Sequence, residues 1–214
     1  MSVCIDAHVH VVERGFWPPR WFEYAAAQWA RQGESRDALD IVDRVEAGLE
    51  DQGGQRLLTQ LTEAGVDKAV LFTVDWELGM ESTPPVSIGA VHARYGEMVR
   101  SSGGRLLAFA GVDPRRPDAL SLVEEAFDVH GLKGLKLYPP TGFFPYEDVV
   151  NPLYEACLER NLPVAIHTGA TLGLLRPRFA NPLYIQDVQR RYPKLMIWIA
   201  HAGAPYWWDQ ALAV

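Results

Sequence analysis

Six short apolar runs punctuate the chain, at residues 3–12, 66–74, 106–112, 131–138, 163–168 and 195–201. Each is nearly continuous and rich in β-branched and aliphatic residues, the pattern of parallel strands covered on both faces. Between them apolar residues recur at helical spacing. Residues 37–64 carry one such pattern, interrupted by Gly53-Gly54, and residues 87–100 carry another. Residues 117–130 open on proline and aspartate and stop at Gly131, good start and stop signals for a helix. Asn151-Pro152 and Asn181-Pro182 each offer a capping residue followed by proline at the first helical position. The helices they start end before Pro163 and Pro193, which lead into strands. This alternation predicts an α/β fold with a parallel sheet, either curled toward a barrel or open and doubly wound. No Gly-x-Gly-x-x-Gly follows a strand, which argues against a dinucleotide-binding sheet.

One domain, residues 1–214, accounts for the whole pattern, since 214 residues suffice for a single sizeable core. Residues 13–34 stand out as an aromatic-rich insertion after the first strand, with Trp17, Trp21 and Trp29. A cap over a site and an ordinary packed connection are both open for it. The net charge of −7 argues against nucleic acid or anionic lipid as the main partner. No apolar run approaches the length of a membrane span, and the N-terminus lacks the pattern of a signal peptide. Cys4 and Cys157 lie in apolar stretches and read as two buried thiols in a reducing cytoplasm.

The chemistry concentrates on histidine. In a strand, residues two apart share a face, so Asp6, His8 and His10 are expected to point one way. Two imidazoles side by side on an apolar strand are costly to bury unless a metal or a hydrogen bond engages them. A metal site and a pair of hydrogen-bonded surface histidines are the two readings. His167 and His201 each end an apolar run before a glycine-containing loop, where parallel α/β folds place their active sites. His92 and His130 fall in helical patterns and receive no role. Lys136, flanked by Leu135 and Leu137 near a strand end, has three readings: a carbamylated metal bridge, a cation that holds a substrate carboxylate or phosphate, or a structural residue.

The ordered series Asp6-Ala7-His8-Val9-His10, Ala64-Gly65-Val66-Asp67, Gly111-Val112-Asp113-Pro114, Gly131-Leu132-Lys133-Gly134-Leu135-Lys136, Ile166-His167-Thr168-Gly169 and Ile199-Ala200-His201-Ala202-Gly203 resembles the amidohydrolase superfamily. It is most similar to the branch of small metal-dependent hydrolases and non-oxidative decarboxylases. The resemblance implies a TIM-type (β/α) barrel with a metal at its C-terminal face. It implies His8, His10 and His167 as ligands of one divalent metal, zinc first, with Fe2+ or Mn2+ as alternatives. His201 matches the histidine that acts in proton transfer or, in binuclear members, holds a second metal, and Asp6 matches a partner orienting the ligands; Lys136 is kept from its own position as the candidate substrate contact. A full barrel takes eight strands and about 250 residues, and six strand–helix units are visible here. The family's last strand brings a metal-binding aspartate that no position here matches, and Asp209 is expected on the helix after the sixth strand.

The implied activity is hydrolysis of an amide, lactone or related carbonyl compound. The alternatives are decarboxylation of a carboxylated ring compound and a non-catalytic metal-binding homologue. The expected partners are a small molecule, carboxylated if Lys136 contacts it, and a second copy of the chain, because an open sheet exposes two edges and its inner face.

Overall fold

The computed structural model describes residues 2–31 and 38–214. The end of the aromatic insertion and the expected helix start at Asp37 lie outside the described residues. Strand β1 spans Ile5–Val9, β2 Lys68–Phe72, β3 Leu106–Gly111, β4 Leu135–Leu137, β5 Val164–His167 and β6 Ile197–Ala200. Among the described residues they form one six-stranded sheet in the order of the sequence, each neighbour parallel. This is a TIM barrel left open between β1 and β6.

The helices are α1 (Pro19–Arg31), α2 (Ala38–Leu49), α3 (Gln55–Glu63), α4 (Glu77–Met80), α5 (Ile88–Ser101), α6 (Ala119–Asp128), α7 (Asn151–Glu159), α8 (Tyr184–Arg191) and α9 (Trp208–Leu212). Gly53 and Gly54 both take positive φ, 68° and 74°, and separate α2 from α3 at the break the sequence marks. Ser87 caps α5 by accepting the Ala90 N–H. Two expected caps differ. The N-cap of α7 is Val150, and Asn151 is already helical. Asn181 instead holds a turn, accepting the Leu183 N–H, and α8 begins at Tyr184. In both places an extra 3-10 or bent turn takes up the start signal before regular helix begins.

Strand alternation sorts the side chains into two layers. Leu71, Ala108, Ala110, Leu135, Leu137, Val164 and Ile166 face outward into the main core, where they meet Tyr95 and Met98 of α5, Val123 and Phe127 of α6, and Leu153 of α7. Val70, Phe72, Phe109 and Ala165 face inward. The inner face is therefore not bare, as an open sheet would suggest. The sheet curls far enough for Trp198 of β6 to reach Phe109 and Phe72 across the interior, with ring centroids 5.1 and 6.4 Å apart. The two edges, by contrast, carry exposed apolar side chains. Val3 and Ile5 beside β1, and Met196, Tyr206, Trp208 and Leu212 around β6, are all exposed. Cys4 is exposed too, contrary to the buried thiol expected, because it lies on the uncovered edge just before β1, whereas Cys157 is buried in α7.

Candidate metal centre

Leu135 and Leu137 belong to the outer core, so Lys136 between them points inward. The same alternation turns His167 inward after Ile166, and Val9 of the outer layer leaves His8 and His10 on the inner side. His201 follows β6 directly with φ 68°, and Ala202 has φ 46°, a left-handed pair of non-glycine residues that redirects the chain at the rim. Four histidines from the ends of three strands thus meet at one end of the half-barrel. The ring of His201 lies 4.5 Å from that of His8 and 4.7 Å from that of His167.

Asp6 is not placed on the histidines' face. A register irregularity between Asp6 and Val9 breaks the alternation, and Asp6 pairs with Ala69, a residue of the outer layer. Its carboxylate accepts the backbone N–H of His8 at 3.0 Å. It steadies the strand rather than an imidazole ring.

The hydrogen bonds set which ring nitrogens are free. His10 Nδ1 donates to the Phe72 carbonyl at 2.8 Å, which leaves its Nε2 as a lone pair. That Nε2 faces His8 Nε2 at 3.2 Å. His167 Nε2 donates to the Ala170 carbonyl at 2.9 Å, and its Nδ1 is buried with no partner. Burial, and next to it the charge of Lys136, lower the His8 pKa to about 3; burial does the same to His10, to about 4. Burial and then Lys136 also push His167 well down, and His201 down. All four are neutral at pH 7, the form that binds metals. Lys136 is 1% exposed, and its Nζ has no hydrogen-bond partner and sits 4.8 Å over the Phe72 ring. Burial lowers its pKa from 10.5 to about 7. The amine is sealed beneath the imidazoles rather than presented at the surface of the cavity.

These donors suit a divalent metal in part. Two nitrogens bound at 2.0–2.1 Å to one tetrahedral ion stand about 3.3 Å apart, close to the His8–His10 spacing. His167 Nδ1, buried and without a partner, also keeps its lone pair free. Among the described residues, no three His, Cys, Asp or Glu side chains are already grouped as a metal cage.

Above the histidines opens a cup of about 330 Å³, walled by Trp17, Trp21, Trp76, Tyr138, Thr171 and Leu172. The aromatic insertion was legible in the sequence, but the place of Trp17 and Trp21 in this wall was not. Two ion networks behind the cup were also missed. Asp75, just past β2, accepts from Arg116 and from the Asp113 N–H, and Arg116 also pairs with Glu77. Asp113, just past β3, accepts from Arg115 and from Thr141 Oγ1 at 2.9 Å. Their only sequence signal is an acidic residue soon after an apolar strand. No described helix is long and apolar enough to cross a membrane.

Three solved structures share this fold. The chain is 18% identical to 5-carboxyvanillate decarboxylase from Novosphingobium aromaticivorans, a structure complexed with manganese and 4-hydroxy-3-methoxy-5-nitrobenzoic acid; the match covers 98% of this chain and 68% of that one, with TM-score 0.64. It is 19% identical to an uncharacterised TIM-barrel protein from Bordetella bronchiseptica, covering 99% of this chain and 71% of that one, with TM-score 0.69. It is 13% identical to a probable 2-pyrone-4,6-dicarboxylic acid hydrolase from Acinetobacter baumannii with citric acid bound, covering 92% and 57%, with TM-score 0.51. At these identities the likeness is one of fold. No curated protein matches the chain by sequence. The amidohydrolase family profile, however, matches residues 5–214, and the chain belongs to the amidohydrolase family.

Proposed function

We propose that this chain is a metal-dependent hydrolase acting on a small amide, lactone or related carbonyl compound. His8, His10 and His167 are the metal ligands and His201 is the proton-transfer residue. The observation that carries the reading is the pair of Nε2 atoms 3.2 Å apart, with the His10 ring fixed by the Phe72 carbonyl so that its lone pair faces His8. A divalent metal, zinc first and manganese or iron next, supplies Lewis acidity and an acidified water when bound. The protein's part is positional. His201 is neutral and exposed at the rim, so its ring can accept a proton from a reacting group in the cup and return it to a leaving group. The tryptophans and Tyr138 exclude water and hold an apolar, flat body.

A second reading, decarboxylation of a carboxylated ring compound, is favoured by the charge at the site. Lys136 acts on all four histidines, and no carboxylate enters their electrostatics. The sealed ammonium thus draws an anionic substrate by its field rather than by contact. The exposed edges of β1 and β6 support a homodimer, and two free thiols support a cytoplasmic setting.

Metal analysis of the purified chain after supplementation tests the shared core of both readings. Close to one equivalent of divalent metal is expected, falling sharply in His167→Ala. Less than about a tenth of an equivalent in the wild type, under conditions where the ligands are neutral, removes the metal centre. Carbon dioxide release assayed against amide or lactone hydrolysis then separates the two reactions.

A further inference from the structure

The two walls of the cup come from distant parts of the chain. Trp17 and Trp21 belong to the insertion after β1, and Ala170, Thr171 and Leu172 to the loop after β5. The insertion is well anchored: Phe22 and Ala26 of α1 are buried in the core, and Arg20 donates to the Met80 carbonyl at 2.7 Å. Most of the β5 loop is held as well. Ala170 N–H bonds the Ala204 carbonyl, Arg176 N–H the Pro140 carbonyl, and Thr171 Oγ1 lies 2.9 Å from the Tyr138 hydroxyl. Between these anchors stands a tight turn at 172–175, closed by Leu175 N–H to the Leu172 carbonyl. Its tip touches α1 through the Gly173 N–H, which donates to the Tyr24 hydroxyl at 2.9 Å.

The absence of a side chain at 173 fits the same contact. The φ of Gly173 is not among the positive ones, so backbone conformation does not call for glycine there. The contact does. A Cβ at this position would lie 2.5 Å from the Tyr24 hydroxyl oxygen, while the nearest ring carbons are 3.4 and 3.7 Å away. A side chain at 173 would therefore have to displace the hydroxyl, the far end of the Tyr24 side chain. Behind the turn, Leu172 packs against the cluster of Val74, Trp76 and Met80 that also takes Trp17 and Trp21. The turn is thus a small flap at the mouth of the cup, rooted by Leu172 and the buried Leu175 in that cluster, with its tip at Gly173 tied to the opposite wall by one exposed hydrogen bond.

We propose that the turn at 172–175 is the gate of the histidine cup and that Tyr24 is its latch, a positioning residue that controls entry of a flat, single-ring-sized ligand. This inference stands apart from the metal reading, since it concerns access to the cup and not what is bound there.

The test reads access directly, in the metal-free chain, by diethyl pyrocarbonate labelling followed by peptide mass spectrometry. His167 lies under the flap and is 5% exposed; His92 is 1% exposed in α5 and reports global opening. Tyr24→Phe removes only the hydroxyl, and Gly173→Ala drives the hydroxyl away. Each should raise the labelling rate of His167 about fivefold, the effect of losing one neutral hydrogen bond, with His92 unchanged. In the double variant the alanine meets only ring carbons at ordinary contact distance, so the rate should match that of Tyr24→Phe alone. Unchanged His167 labelling in Tyr24→Phe overturns the latch. So does a rise shared equally by His92, which marks general loosening, or fully additive effects in the double variant. Tyr24→Phe keeps its packing and serves on its own if Gly173→Ala does not fold. Metal occupancy measured beside it separates failure of the latch from failure of the metal reading.

Discussion

Replacing Lys136 by methionine should make the metal-free chain more stable. The lysine is 1% exposed, its Nζ has no hydrogen-bond partner, and burial moves its pKa from 10.5 to about 7. The folded chain releases this proton near pH 7, and the unfolded chain keeps it until about pH 10.5. Between those values the unfolded state binds more protons, so stability rises with pH across that window. Each pH unit is worth about 1.4 kcal/mol, which makes the cost of burying this amine about 4 kcal/mol at pH 7. The Phe72 face returns about 1 kcal/mol to the cation. Methionine has a similar length and no charge, so Lys136→Met should gain about 3 kcal/mol at pH 7, or about 6–12 °C in midpoint. Urea unfolding of the chelator-treated protein at pH 7 and pH 10 measures this. At pH 10 the wild type has recovered most of the cost, and the gain should shrink to about 1 kcal/mol. A variant no more stable than wild type at pH 7, or a gain that does not change with pH, refutes the reasoning. It would mean that the folded chain pairs the ammonium with an anion or turns the amine into an anionic carbamate.

Four further outcomes follow from the same structure. His92, 1% exposed with Nε2 3.0 Å from the Gly111 carbonyl, has its pKa lowered by burial to about 4. Its contribution to stability is intact above pH 6.5 and is lost as pH falls toward 4; the loss at pH 5 is about 2 kcal/mol, and His92→Gln should flatten that part of a denaturant-midpoint profile. Gly111→Ala places a Cβ 2.2 Å from the Thr73 carbonyl between two strands and should cost about 3 kcal/mol or more, read as loss of the folded, soluble fraction. Gly48→Ala, with open space around it in α2, should instead stabilise by about 0.5–1 kcal/mol in the same assay, and a loss there would refute the helix assignment. Sedimentation should show a concentration-dependent dimer that weakens when Trp208, 60% exposed, is changed to serine; a monomer at all concentrations removes the edge-mediated interface.

Much of this molecule is legible in its residues because it depends on local pattern. Apolar runs of strand length between helical stretches specify a parallel α/β sheet, since only strands covered on both faces tolerate such runs. Gly53-Gly54 marks a real break because positive φ is cheap only for glycine. The inward position of Lys136 follows from its two leucine neighbours and a period of two.

Where a local rule is interrupted, the sequence alone misleads. Asp6 leaves the face of His8 because of an irregularity in strand pairing, and pairing is a property of two segments 60 residues apart. The inner face is filled rather than bare because the sheet curls until Trp198 reaches Phe72, a closure that no single strand encodes. The resemblance implied that His8, His10, His167 and His201 share one site, but the residues by themselves supply three strand ends and not the distances between them. By itself the sequence determined the residue types, their strand-end positions and the direction most of them face. Only the tertiary structure decided that His8 and His10 face each other at 3.2 Å, that Lys136 is sealed, and that Tyr24 reaches Gly173 across the cup. Those are separations between distant segments, set by sheet curvature and loop packing rather than by any local pattern.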